Sequence, residues 1–87
     1  MLWSVFIDLE RSLAAQEQGD LFAALEQIVP GSGCIGPNRR GDWEVYFTVE
    51  AASAEAARLA ARRYMDRMLA AAGLAVAYAI TVQAQTR

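Results

Sequence analysis

The chain predicts an α+β sandwich of the split β-α-β type: a four-stranded antiparallel sheet with two helices packed on one of its faces. Four short segments alternate apolar and polar residues with the period of two that a half-buried strand shows. Two segments between them repeat apolar residues at helical spacing, and the order along the chain is strand, helix, strand, strand, helix, strand. Two interleaved right-handed crossovers in that order give the spatial strand order 4-1-3-2 and put both helices on the same side.

The first strand runs from about Leu2 to Leu9, with Trp3, Val5, Ile7 and Leu9 on the face that meets the helices and Ser4, Phe6 and Asp8 on the other. Leu21, Phe22, Leu25, Ile28 and Val29 then recur at helical spacing behind Asp20, a good N-cap residue, and Pro30 stops the run. That spacing predicts a helix over 20–29. Whether 12–18 add turns in front of it is left open, because Gly19 inside a helix costs about 1 kcal/mol relative to alanine.

Cys34 and Ile35 centre a short edge strand within 31–36, and Pro37, Asn38, Arg39, Arg40 and Gly41 form the turn after it. The third strand is the clearest: Trp43, Val45, Phe47 and Val49 point one way, and Asp42, Glu44, Tyr46, Thr48 and Glu50 the other. Ser53 as N-cap and Gly73 as C′ residue bracket a long helix, with Glu55 favouring its positive end. Its packed arc is Ala57, Ala60, Ala61, Tyr64, Met65, Met68, Ala71 and Ala72, and on the opposite side Arg62 is spaced to pair with Asp66. The last strand, about Val76 to Ala84, sends Val76, Tyr78, Ile80 and Val82 inward and Ala77, Ala79, Thr81 and Gln83 outward.

At 87 residues the chain reads as one domain with a thin core, and 55% hydrophobic against 21% charged residues is too apolar for disorder. A formal charge of −2 gives no long-range attraction to phosphate backbones or anionic lipid, so neither nucleic acid nor membrane is an expected partner. The uncharged stretch 68–86 is broken by Gly73 and then alternates, which is a helix end followed by a strand and not a membrane span. The lone Cys34 has no pairing or metal-ligating companion, which fits a reducing, cytoplasmic setting. All eight basic residues are arginine, a coding bias that lowers the functional weight of any one of them.

The pattern as a whole resembles the ferredoxin-like sandwich, which hosts enzymes, ligand sensors, RNA binders and dimerisation modules alike. The fold therefore does not fix the function. Gly31-Ser32-Gly33-Cys34-Ile35-Gly36 has the letters of a dinucleotide fingerprint but follows a helix and runs into Pro37, whereas that motif works only between a strand and a helix. Phe6 and Tyr46 occupy positions where RNA-recognition modules of this fold carry stacking aromatics, yet Asp42 and Glu44 stand where further aromatics are needed and would repel phosphate. With neither histidine nor lysine, acid–base or Schiff-base catalysis has little to work with, so the reading leans away from an enzyme, and no cofactor or metal is expected.

What the topology does predict is an uncovered sheet face with Phe6 and Tyr46 as neighbours at its centre and Ser4, Asp8, Glu44 and Thr48 around them. The expectation is a non-catalytic interaction domain forming a homodimer through that face or through strand edges, because this surface would otherwise face water. The alternative is a small-ligand site or a cofactor-independent enzyme in which Asp8, Glu44, Tyr46 and Thr48 supply polar contacts, by fold analogy with dimeric α+β barrels. Arg58, Arg62, Arg63 and Arg67 make a cationic helix side that is ordinarily solvated and that could alternatively meet an anion or an acidic partner.

Overall fold

The structure, a computed structural model, describes residues 1–29 and 33–85. Its elements are β1 (Leu2–Leu9), α1 (Ala15–Ile28), β2 (Cys34–Pro37), β3 (Trp43–Glu50), α2 (Ala54–Ala72) and β4 (Tyr78–Ala84). The four strands form one antiparallel sheet in the order β2-β3-β1-β4, which is the expected 4-1-3-2 order read from the other edge. This is a ferredoxin-like α+β arrangement.

Alternation sorts the strands as the sequence predicts. Val5, Ile7 and Leu9 of β1 and Val45, Phe47 and Val49 of β3 are buried beneath the helices. Trp3 and Trp43 lie at the margin of that core, and the Trp3 indole Nε1–H donates to the Ala51 carbonyl at 3.1 Å. Ile80 and Val82 of β4 pack against the core without being fully enclosed, as befits an edge strand.

The second helix is capped as its sequence dictates. The Ser53 hydroxyl accepts from the Ala56 amide at 3.1 Å, and Gly73 takes the left-handed conformation (φ 69°) that lets its amide return to the Leu69 and Ala70 carbonyls. Its buried face is Ala57, Ala61, Met65, Met68 and Leu69. Leu69 is buried and Ala71, which was expected inside, is exposed, while Ala60 and Tyr64 are half-buried: the buried arc is rotated toward Leu69 along the whole helix.

The first helix includes most of the 12–18 segment that the sequence left open. It begins at Ala15 behind Ala14 and not behind Asp20, and it runs straight through Gly19. Glu17 accounts for this, because its carboxylate accepts the Ala14 amide at 2.9 Å and the Arg11 guanidinium at 2.9 and 3.1 Å. Alanine has no side-chain oxygen, so only the Glu17 half of a capping box is present, with Arg11 fixing the carboxylate from outside. Those hydrogen bonds, Arg11's first, hold the Glu17 carboxyl down to about 2. Leu21, Ala24 and Leu25 are the buried positions of α1, whereas Phe22 remains 46% exposed.

Two boundaries also shift. Pro37, expected in the turn, is the last residue of β2 and pairs with Trp43, which edge-strand geometry tolerates because its missing amide can face away from β3. The β4 strand begins at Tyr78 and not at Val76, although Glu10 still donates to the Ala77 carbonyl at 2.9 Å. The Pro30 stop signal and the Gly31-Ser32 part of the glycine-rich stretch lie outside the described residues.

Candidate functional site

Antiparallel pairing puts the polar phases of the strands in rows across the uncovered face. Cys34, Tyr46, Phe6 and Thr81 form one row, and Gly36, Glu44, Asp8 and Ala79 the next. The phase of hydrogen bonding decides how close the members of a row come. The Ala51 amide donates to Met1 O, which makes the odd-numbered β1 residues the hydrogen-bonded partners of β3 and leaves Ser4–Thr48, Phe6–Tyr46 and Asp8–Glu44 as the closer, non-hydrogen-bonded pairs.

At the centre, the Phe6 and Tyr46 rings are 5.1 Å apart and tilted by 51°, an ordinary attractive aromatic geometry that half covers both. The Tyr46 hydroxyl lies 3.2 Å from Ser4 Oγ, and Gln85 Nε2 donates to Ser4 Oγ at 3.0 Å and to Tyr46 Oη at 3.5 Å. Thr48 stands opposite Ser4 on this same side. Gln85 belongs to the cluster although sequence reasoning omitted it; continuing the outward phase past Gln83 would have found it.

Beyond the rings the face becomes acidic. Asp8 faces Glu44, and the Glu44 carboxyl is pushed above the ordinary carboxylate range by burial first, then by the Asp8 charge and a hydrogen bond to Asp8. Asn38 joins this end to the β2–β3 turn. Its Nδ2 donates to Asp8 Oδ1 at 3.2 Å, while its Oδ1 accepts the Arg40 and Asp42 amides at 2.9 and 3.1 Å, a side-chain-closed turn completed by Gly41 at φ 86°. Asp8, Glu10, Glu44 and the turn residues Asn38, Arg39, Arg40 and Asp42 border an open depression of about 730 Å³, and within the turn Arg40 Nε lies 3.9 Å from Asp42 Oδ2. Among the described residues no group of His, Cys, Asp or Glu has the arrangement to hold a metal ion. The turn's role in the site was not legible in the sequence, because Asn38 reaches Asp8 across thirty positions of chain.

The arginine side of α2 is exposed as expected, but Arg62 does not form the anticipated ion pair with Asp66. Asp66 accepts the Tyr78 hydroxyl at 2.5 Å, and the Arg62 guanidinium lies over the Tyr78 ring at 6.0 Å. Burial, followed by Asp66, pushes the Tyr78 phenol up to about 12. Arg58, Arg63 and Arg67 make no ion pair among the described residues. Cys34 is exposed on the edge strand beside Tyr46.

Neither a family model, nor a curated protein, nor a solved structure matches this chain. No helix of the described residues is long and apolar enough to cross a membrane.

Proposed function

We propose that this protein is a non-catalytic interaction domain that associates with a second copy of itself, forming a homodimer through its unfinished sheet. One observation carries the reading: both helices pack on one side of a four-stranded sheet that ends in the open edges of β2 and β4, and on its other face Phe6 and Tyr46 are only half covered. A domain of this size has a core too small to spare apolar surface cheaply, so association adds burial that the single chain lacks. Sedimentation at concentrations on the order of tens of micromolar tests it, since mass action makes any real dimer concentration-dependent. A species that keeps the mass of one chain throughout that range removes the proposal.

A ligand-binding reading is favoured by the depression beside Asp8 and Glu44. Carboxylates and guanidinium groups bordering one depression suit a small polar molecule that carries both an amino and an acidic group. Titrating such compounds while following the melting temperature tests it, and an unmoved transition across acidic, neutral and basic amino acids discards it.

A further inference from the structure

We infer that the outer edge of β4 is where two copies of this chain join, antiparallel and centred on Thr81, so that their sheets become one continuous sheet. This inference rests on the self-association reading above and names its contact.

Main-chain geometry supplies the first support. Gln85 donates to the Leu2 carbonyl and Glu10 to the Ala77 carbonyl, at 3.0 and 2.9 Å, which fixes the odd-numbered residues of β4 as the ones bonded to β1. The amides and carbonyls of Tyr78, Ile80, Val82 and Ala84 therefore point away from the sheet. Reversed on itself about Thr81, this row is self-complementary. Ile80 meets Val82 of the second copy, and Tyr78 meets its Ala84, as hydrogen-bonded pairs, while Thr81 faces Thr81 in a close non-hydrogen-bonded pair. The apolar phase then runs unbroken across the junction.

The contrast between the two edges is the second support. The other edge strand, β2, spans only Cys34–Pro37 and contains Gly36 and a proline, which are common means of blunting an edge. Tyr78–Ala84 is longer and has no charge, proline or glycine, so nothing in it opposes pairing. The uncovered face is a poorer contact, because its acidic end would lose solvation on stacking.

One charge pair and one exposed leucine on α2 fit this register. The contacts of Tyr78 with Asp66 and Arg62 place that part of α2 above the start of β4. Moving three residues along the strand, about 10 Å, corresponds to six or seven residues back along the antiparallel helix, which puts the two-fold axis beside Arg58 and Leu59. Two such helices lying side by side bring Glu55 of one copy abreast of Arg62 of the other, with Leu59, 52% exposed in the single chain, between them, while the two exposed Arg58 side chains near the axis are a like-charged pair that solvent screens.

Amide hydrogen exchange on the intact associated protein reads the contact directly. Ile80 and Val82 amides face solvent in a single chain, whereas in the joined sheet they should exchange at least about 100-fold more slowly. Thr81→Arg, at an exposed position, should give a monomer in which that protection disappears while the Val5 amide stays protected. Fast exchange at Ile80 and Val82 in a protein that still sediments as a dimer overturns the edge contact and leaves self-association standing. A wild-type chain that is monomeric overturns both. Should Thr81→Arg not fold, Thr81→Cys in a Cys34→Ser background decides the matter. Opposed residues of a close pair lie about 4.5 Å apart, within disulfide range, so mild oxidation should link the copies, and an associated protein that stays unlinked refutes the register.

Discussion

Gly33 sits directly over Leu25: a Cβ placed on Gly33 would lie 2.7 Å from Leu25 Cδ1 and 2.8 Å from its Cγ. The chain entering β2 therefore crosses the buried face of α1 at a distance only glycine permits. Leu25 is 1% exposed, so its side chain can give way only by repacking within the core. Gly33→Ala should destabilise the protein by about 1–3 kcal/mol, read from the denaturant midpoint, as overpacking in a closed core does. An unchanged midpoint would mean that Leu25 yields to the added methyl group without cost.

Gly19 should behave in the opposite way. It lies within α1, and a Cβ there meets nothing within 4 Å. Gly19→Ala gains helix propensity and restricts the unfolded chain without a steric penalty, so stability should rise by about 0.5–1 kcal/mol. A fall in melting temperature would show that α1 does not continue through this residue in solution.

The Asp8–Glu44 pair gives a pH signature. Glu44 holds its proton more tightly in the folded chain than at its ordinary value of 4.5, so the folded state binds more protons once pH exceeds that value. Unfolding free energy must then fall as pH rises from there through the raised folded value. Glu44→Gln removes the titration and the like charge opposite Asp8. It should be more stable than the wild type by about 0.5 kcal/mol at neutral pH, with the gap closing at pH values below about 4. Denaturant melts at several pH values check this, and a gap independent of pH would exclude the pair as its source.

Tyr78 should make stability fall in alkali. Its phenol keeps its proton from the ordinary value of 10.0 up to about 12 when folded, so across that window the unfolded chain alone loses a proton and is favoured. Burial is the larger cause, so Asp66→Asn should lower the last tyrosine step of an ultraviolet titration without returning it fully to the ordinary value. A step that does not move at all would show that Asp66 leaves the phenol untouched.

Much of this architecture was already legible in the chain. Period-two alternation identified the inward residues of β1 and β3, Ser53 and Gly73 marked the ends of α2, and element order with crossover handedness led to the strand order. It also placed Phe6 beside Tyr46. Local signals left a question open where two of them competed. Asp20 and Gly19 suggested a late start for α1, but Glu17, held by Arg11, supplied an earlier one that no hydroxyl-bearing N-cap announced.

By itself, then, the sequence determined which residues face the helices and which face away, because a strand's side-chain period is a property of the local backbone. Only the tertiary structure decided which of them meet. Register set Asp8 against Glu44, Asn38 reached back to Asp8, and Tyr78 drew Asp66 away from Arg62. The hydrogen-bond phase of β1 with β4 also turned the main chain of Ile80 and Val82 outward. Such outcomes depend on contacts between residues distant in the chain, and periodicity within a single segment carries no information about them.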